Sequence, residues 1–320
     1  MTGALHHTSL RAMGTACTLS VTATSTDARR ARQALAAGRA EVEACEQVLS
    51  RFDPASDLSR LNRAAGDWVE VDPRLAGALR LALRGRKATA GKFDPTILPA
   101  LVAAGYDRTF EELEERPAVA APDWRAGAEI EFAADGDRAR VERGAAVDLG
   151  GIGKGFSATR TLQAMRGAWD RLPGALVDLG GDVAVSGVPP DRGPWRIAVA
   201  DPEPRRPGAR LGVLRLDEGG VATSARHARR FGPGRTLHHL IDPATGAPAA
   251  VGPLAVTVVA PDAAWAEIHA TALAISTLAQ ARAHVAAHSE ISALYVPSEG
   301  APEPLGALPL EATAFAGAAA

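Results

Sequence analysis

The chain has 320 residues, of which 47% are hydrophobic and 22% are charged, and its formal net charge is −2. This composition is typical of a folded globular protein and unlike that of a disordered chain. The small net charge argues against a nucleic-acid binder held by broad electrostatic attraction. The sequence contains no apolar run of about 18 residues, so no membrane insertion is predicted. The N-terminus lacks the apolar core of a signal peptide, so we expect a cytoplasmic protein.

The first half of the chain begins with strand and helix patterns. Residues 9–24 alternate small, apolar and β-branched side chains, which favours one or two strands. Residues 27–52 carry apolar side chains at helical spacing and predict a long amphipathic helix. A second helix is predicted over residues 74–91, where Gly91 ends it. Residues 107–128 are acidic, contain proline and show no clear period, so we expect a loop there and a lobe boundary near 105–125.

The second half mixes hairpins, short strands and helices. Residues 129–144 predict a hairpin, and a strand over 145–151 is expected to precede a helix over 155–169. Residues 262–287 predict one broken helix or two, capped by Asp262, and residues 300–320 are expected to form a loose tail. Strands and helices do not alternate strictly. We therefore expect an α+β fold, with mixed sheets and flanking helices, in a single domain over 1–320 made of two closely associated lobes.

A glycine cluster with one lysine stands before the central helix, in the stretch VDLGGIGKGF at 147–156. A Walker A loop would need glycine where Asp148 stands and Ser or Thr where Gly155 stands. A Rossmann fingerprint would need glycine where Phe156 stands. Glycines, a helix start and Lys154 can nevertheless bind an anion such as phosphate. The alternative is a tight turn with a solvated lysine.

The pentapeptide VDLGG occurs twice, at 147–151 and at 177–181, on either side of the predicted helix. If both copies are strands of one sheet, they bring Asp148 and Asp178 to one rim and build a pocket with glycine-lined walls. Chance repetition in a chain rich in glycine and alanine is the alternative.

Hard oxygen ligands follow near the C-terminus. Glu267 and Thr271 lie four residues apart on a predicted helix, hence on one face. A carboxylate and a hydroxyl suit Mg²⁺, which commonly also binds substrate phosphates. An exposed glutamate and a threonine bonded to its own backbone are the alternative.

Acid–base residues are expected in the stretch HHLIDP at 238–243. A histidine can take a proton from a hydroxyl near neutral pH, so His239 and Asp242 are the candidates. The alternative is that Asp242 caps a turn and His239 is structural. Thr223 and Ser224 offer hydroxyl groups to a cofactor.

Taken in order, these motifs resemble the FAD:protein FMN transferases, the ApbE flavin transferase family. The resemblance covers nearly the whole chain. The stretches that carry it are AMGT at 12–15, SRFDPASDLSRLN at 50–62, GKFDPT at 91–96, VDLGGIGKGF at 147–156, VDLGGD at 177–182, ATS at 222–224, HHLIDPATGAP at 238–248 and AEIHATAL at 266–273.

The resemblance implies that Mg²⁺ assists the transfer of the FMN part of FAD to a Thr or Ser of an acceptor flavoprotein, with release of AMP. It implies metal binding by the Gly153 carbonyl, Glu267 and Thr271, and a catalytic role for His239 with Asp242 near it. The expected FAD-binding residues are Met13, Phe52, Lys92, Phe93, Asp94, Asp148, Lys154, Asp178, Thr223 and Ser224.

The chain departs from the family pattern at several positions. Glu267 stands where Asp is usual, and Ala225 stands where Gly usually follows ATS. These departures keep open an FAD-binding protein without turnover. A second alternative is an FAD pyrophosphatase that gives FMN and AMP, with water in place of the acceptor hydroxyl.

Overall fold

The computed structural model describes residues 3–64, 66–109, 112–113, 124–203, 208–226, 230–232, 234 and 237–311. The helices of this part are α1 (Ala28–Leu49), α2 (Asp57–Arg63), α3 (Pro73–Ala88), α4 (Leu98–Ala103), α5 (Gly153–Ala168), α6 (Ala263–Leu273) and α7 (Leu278–Ala287). None of the helices in these ranges combines the length and the apolar character needed to cross a membrane.

The strands before residue 200 are β1 (Ala4–Ala12), β2 (Thr15–Ala23), β3 (Val69–Glu70), β4 (Ile130–Phe132), β5 (Arg138–Val141), β6 (Gly174–Leu179), β7 (Asp182–Gly187) and β8 (Trp195–Ala200). Those that follow are β9 (Arg210–Leu216), β10 (Gly219–Ala225), β11 (Arg230–Phe231), β12 (Leu237–His238), β13 (Ile241–Asp242), β14 (Ala247–Pro248), β15 (Ala255–Ala260), β16 (Ser292–Val296), β17 (Glu303–Leu305) and β18 (Leu310–Glu311).

The largest sheet has eight strands in the order β1-β2-β6-β7-β10-β15-β16-β17. Each neighbouring pair is antiparallel. The β6–β7 hairpin turns at Gly180 and Gly181, whose φ angles of +70° and +95° favour glycine. A side chain at Gly180 would lie 2.3 Å from the Thr15 hydroxyl, so this turn sits beside the β1–β2 turn at one end of the sheet.

One face of this sheet is covered by α1, α5 and α6. Leu19 of β2 and Val177 of β6 are fully buried in the same hydrophobic cluster as Ala34 of α1. The start of α5 touches the start of α6 so closely that a Cβ at Gly155 would lie 2.2 Å from the Ala263 carbonyl oxygen. This close approach fixes the first turn of α5 against α6.

The other face packs against a three-stranded sheet of order β18-β9-β8. Val185 of β7 and Val221 of β10 share a buried cluster with Trp195 of β8 and Leu214 of β9. A further small sheet, of order β3-β5-β4, lies beside α2 and α3. The helices and predominantly antiparallel sheets confirm the α+β prediction.

The structure differs from the predicted elements before α5 and after residue 300. Residues 145–149 form no strand, so the predicted strand–helix–strand unit around α5 is wrong. The chain after 300 is not wholly loose, because β17 pairs with β16 and β18 pairs with β9, although residues 312–320 lie outside the described residues. Residues 110–111 and 114–123 also lie outside them, so the single domain and its lobe boundary near 105–125 stay predictions.

Candidate active site

A cavity of about 630 Å³ opens beside the β1–β2 and β6–β7 turns. Its walls come from parts of the chain that are far apart in sequence. They are the Met13–Gly14–Thr15 turn, the end of α1 with the residues after it, the segment between α3 and α4, the loop before α5, and parts of β10, β13 and α6. The volume lies in the range that small-molecule and cofactor sites occupy.

The loop before α5 is held at its base by a side-chain amide. Asn62 donates a hydrogen bond to the Val147 carbonyl oxygen (2.9 Å) and accepts one from the Val147 N–H (2.7 Å). The Asn62 side chain thus takes the place of the neighbouring strand that was predicted to bond the backbone of residues 145–151. The next residue, Asp148, is buried and accepts a hydrogen bond from the Gly150 N–H at 2.8 Å.

Asp148 also forms a buried ion pair that the sequence did not reveal. Its Oδ2 lies 2.7 Å from Nε of Arg51, and the two side chains are less than a tenth exposed. The guanidinium donates to the Tyr106 carbonyl oxygen (3.0 Å) and lies 4.2 Å from the centre of the Phe52 ring and 4.8 Å from that of Tyr106. Arg51 therefore joins the glycine loop to an aromatic wall of the cavity.

At the start of α5 the cavity carries two buried carboxylates and one ammonium group. Lys154 Nζ contacts Asp182 Oδ2 and lies 3.3 Å from Glu267 Oε1. The other Glu267 oxygen accepts a hydrogen bond from the Gly155 N–H at 2.8 Å. Glu267 thus binds the N-terminus of α5, where the helix dipole favours a negative charge.

The expected metal-binding oxygens lie around the same point. Thr271 donates a hydrogen bond to the Gly151 carbonyl oxygen (3.3 Å), and the Gly153 carbonyl oxygen accepts one from Ser157 (2.7 Å). A Cβ at Gly151 would lie 2.9 Å from the Thr271 hydroxyl, so only glycine leaves this space open.

The chemistry of this donor set fits Mg²⁺, because carboxylate, hydroxyl and carbonyl oxygens are its preferred ligands. Among the described residues, no three His, Cys, Asp or Glu side chains form a metal-binding group. A magnesium ion would accordingly need ligands beyond these carboxylates, as it has when substrate phosphates and waters complete its shell.

Most of the expected site residues line the cavity, and two do not. Those that line it are Met13, Phe52, Lys92, Phe93, Asp94, Asp148, Gly153, Lys154, Thr223, Ser224, His239, Glu267 and Thr271. The Asp178 carboxylate instead accepts the Gly181 N–H (2.8 Å) in the β6–β7 turn. Asp242 accepts the Ala244 N–H (2.9 Å) in the turn after β13 and does not itself line the cavity, although its neighbours Ile241 and Pro243 do. The strand pair that was expected to bring Asp148 and Asp178 to one rim does not form, because residues 145–149 are not a strand, although Gly150, Gly151 and Gly180 of the two VDLGG copies all line the cavity.

Two of the lining residues also have local structural partners. Both oxygens of Asp94 are bonded, one to the Thr96 N–H (2.8 Å) and the other to the Gly127 N–H (2.6 Å). Thr223 pairs with the Thr257 hydroxyl at 2.8 Å. Asp94 thus shapes the segment between α3 and α4, which includes the cavity residue Phe93.

Sequence reasoning missed several lining residues with clear partners. Among them are Glu46, Arg51, Tyr106 and Asp182. Glu46 accepts the Met13 N–H at 2.5 Å, and Met13 has a φ of +52°, so the carboxylate holds a backbone conformation that a non-glycine residue rarely adopts. Asp182 could have been found, because it directly follows the repeated VDLGG stretch.

Comparison with known proteins shows the family of the chain. The chain is 31% identical to an FAD:protein FMN transferase of Treponema pallidum over 71% of this chain and 67% of that protein. It is 27% identical to an FAD:protein FMN transferase of Klebsiella pneumoniae, over 80% of this chain and 74% of that protein. The fold matches the crystal structure of the ApbE protein of Thermotoga maritima with a TM-score of 0.80 and 27% identity, over 94% of this chain and 97% of that one. The model of the ApbE family matches residues 13–295, and the chain belongs to that family.

Proposed function

We propose that this protein transfers the FMN group of FAD to a Thr or Ser hydroxyl of an acceptor protein and releases AMP, with Mg²⁺ bound at Glu267. The observation that carries the proposal is that one cavity of this family member brings together the glycine loop, Lys154, Glu267 with Thr271, and His239. Relatives that bear the name FAD:protein FMN transferase support the reaction class.

The start of α5 is suited to the pyrophosphate of FAD. A helix N-terminus attracts anions, and Mg²⁺ held beside Lys154 would offset the charges of Asp182 and Glu267, which pair with that lysine. The lack of side chains at Gly150, Gly151 and Gly153 lets the ligand approach the backbone.

An aromatic wall, which Arg51 joins to the glycine loop, is suited to a flat ring. Phe52 is 39% exposed, and its ring packs edge to face on Tyr106 with 6.2 Å between centroids. Tyr106 in turn stacks on Phe231 at 5.5 Å. An exposed ring that is held from behind can stack on flavin or adenine without first being ordered.

Glu267 and Thr271, with the Gly153 carbonyl, would hold Mg²⁺. When bound, the ion supplies charge stabilisation for the pyrophosphate oxygens. His239 is the base in this proposal: it accepts the proton of the acceptor hydroxyl. The hydroxyl oxygen forms a bond to the FMN phosphorus, the bond from that phosphorus to the bridging oxygen breaks, and AMP leaves with the bridging oxygen.

Product analysis tests this function against the two alternatives. Purified protein is incubated with FAD and Mg²⁺, with and without an acceptor that carries a flavinylation site, and the nucleotides are separated by chromatography. Transfer predicts acceptor-dependent release of AMP without an equal amount of free FMN. Equal AMP and FMN without acceptor would indicate a pyrophosphatase, and bound, intact FAD would indicate a protein without turnover.

A further inference from the structure

Asp182 is the one carboxylate at the start of α5 to which neither the motifs nor the proposed reaction gives a role. Its side chain is 2% exposed, and Lys154 is its ionic partner. We propose that Asp182 is a positioning residue, which binds the Lys154 ammonium more closely than Glu267 does and so lets a Glu267 oxygen exchange its weaker ammonium contact for a divalent cation. This inference rests on the metal site of the proposed function.

The charges around Lys154 do not balance. Asp182 and Glu267 are 2% and 5% exposed, and between them lies one ammonium group that is 24% exposed. The three groups together carry a net charge of −1, in surroundings from which water is largely excluded. A buried excess of negative charge favours binding of a cation, and it does so most strongly where a carboxylate oxygen is not already neutralised.

The two carboxylates differ in how they are held. Asp182 is the first residue of β7 and is fixed by its pairing with Leu179 across the β6–β7 turn. Glu267 is anchored through Oε2 to the Gly155 N–H, while Oε1 faces Lys154 at 3.3 Å. Oε1 is therefore the oxygen that can exchange its ammonium contact for a metal ion.

The position of the ammonium decides whether this exchange occurs. Lysine carries a compact charge on a flexible stem, so its head group can move between neighbouring carboxylates. As long as Asp182 binds the ammonium, Lys154 can give up its contact with Glu267 Oε1 when a cation binds near Glu267 and Thr271. In Asp182→Asn the neutral amide cannot compete for the ammonium, so Lys154 pairs with Glu267 Oε1 alone and opposes metal binding.

The test measures metal affinity in the absence of FAD. Mn²⁺, which takes the same hard oxygen ligands as Mg²⁺, is titrated into the full-length protein and followed by electron paramagnetic resonance. Asp182→Asn is expected to weaken Mn²⁺ binding about tenfold, the lower end of the effect of residues that support metal ligands. The double variant Asp182→Asn with Lys154→Met is expected to regain at least wild-type affinity, because the competing ammonium is gone.

Glu218→Gln is the matched control. Glu218 forms an exposed ion pair with Arg166, which lies at the end of α5 opposite to Lys154. Removal of the Glu218 charge should therefore leave Mn²⁺ binding unchanged. Wild-type affinity in Asp182→Asn would overturn the role of Asp182. So would a double variant as weak as Asp182→Asn, because Asp182 would then bind the metal directly. The role would also be overturned if the weaker Mn²⁺ binding of Asp182→Asn disappeared in about 0.5 M salt. Salt screens the long-range effect of a lost charge but not a direct contact between Lys154 and Glu267.

Two further outcomes are distinguishable. If wild-type protein does not bind Mn²⁺, the metal site of the proposed function fails, whatever Asp182 does. If Asp182→Asn does not fold, Lys154→Met alone is the test: tighter Mn²⁺ binding than in the wild type is expected, and unchanged or weaker binding would contradict the proposal.

Discussion

Arg51 and Asp148 form a buried ion pair, with 2.7 Å between Nε and Oδ2, that joins the end of α1 to the loop before α5. Because the same guanidinium lies against the rings of Phe52 and Tyr106, the aromatic wall and the glycine loop cannot move independently. In the proposed reaction these two parts bind the ring and the pyrophosphate of one FAD molecule. Their connection through Arg51 would keep them at a fixed separation.

Arg51→Met should destabilise the protein strongly. The substitution leaves the Asp148 carboxylate buried without its partner, which typically costs about 3–5 kcal/mol. The free energy of unfolding is measured by urea titration. Arg166→Met, which removes an exposed ion pair with Glu218, is the matched control and should cost less than about 1 kcal/mol. Equal effects of the two variants would contradict a special role for the Arg51–Asp148 pair.

Phe52→Ala should weaken FAD binding about tenfold, because stacking of a base on an aromatic ring contributes on the order of 1–3 kcal/mol. FAD affinity is measured by quenching of flavin fluorescence. Trp68→Ala is the matched control, since Trp68 is also 39% exposed but does not line the cavity. An unchanged FAD affinity in Phe52→Ala would exclude Phe52 from the flavin site.

Thr271→Ala should raise the Mg²⁺ concentration needed for half-maximal activity, because it removes a hydroxyl ligand beside Glu267. Thr271→Ser keeps the hydroxyl and should retain most of the wild-type response. Loss of a single oxygen ligand is expected to cost about tenfold in metal affinity. A magnesium titration that is the same in Thr271→Ala and the wild type would reject the metal role of this residue.

His239→Ala should slow transfer by about 10²–10⁴-fold, the usual contribution of a general base, while FAD binding is preserved. Rates are measured in single turnovers with saturating FAD. His7→Ala, at an exposed position in β1, should transfer flavin at the wild-type rate. A His239→Ala protein with normal rates would remove His239 as the base. Reduced FAD affinity alone would make it a binding residue.

The histidines at the contact between α6 and α7 should make stability depend on pH. Burial, together with the nearby His288 and Lys92 and against an opposing effect of Glu290, lowers the pKa of His284 to about 4. Burial lowers the pKa of His269, which is hydrogen-bonded to His284, to about 3. The unfolded chain takes up these protons below about pH 6.5, whereas the folded protein does not.

The contribution of these two neutral histidines to the free energy of unfolding should therefore be fully present above pH 6.5 and should be lost as the pH drops towards 4. His284 alone accounts for about 3 kcal/mol of this loss. The measurement is urea unfolding at several pH values in the wild type and in His284→Gln, whose free energy of unfolding should fall less steeply. An equal slope in the two proteins would contradict the assignment to His284.

The repeated VDLGG stretch shows what sequence patterns could and could not predict here. The copy at 177–181 forms the end of β6 and a turn, as its alternation suggests, because β2 and β7 pair with it. The copy at 147–151 has no strand neighbour and is held by Asn62, so it forms a loop. Identical local patterns adopt different structures when long-range partners differ.

The elements with strong local signals were predicted well. The long helix after residue 27 and the cap of α6 at Asp262, whose side chain accepts the Trp265 N–H at 2.8 Å, follow from spacing and capping rules. Arg51 and Asp182 could not be assigned in this way. Each acts through an ion pair with a residue far away in sequence, and only the folded chain brings these partners together.

Covalent transfer of FMN to protein can be seen directly by intact mass spectrometry of the acceptor. The acceptor is incubated with this protein, FAD and Mg²⁺, beside a variant acceptor in which the target Thr is replaced by Val. A mass increase equal to FMN minus one water is expected on the Thr acceptor, and none on the Val acceptor. An acceptor of unchanged mass, although the protein binds or hydrolyses FAD, would contradict the proposed transfer.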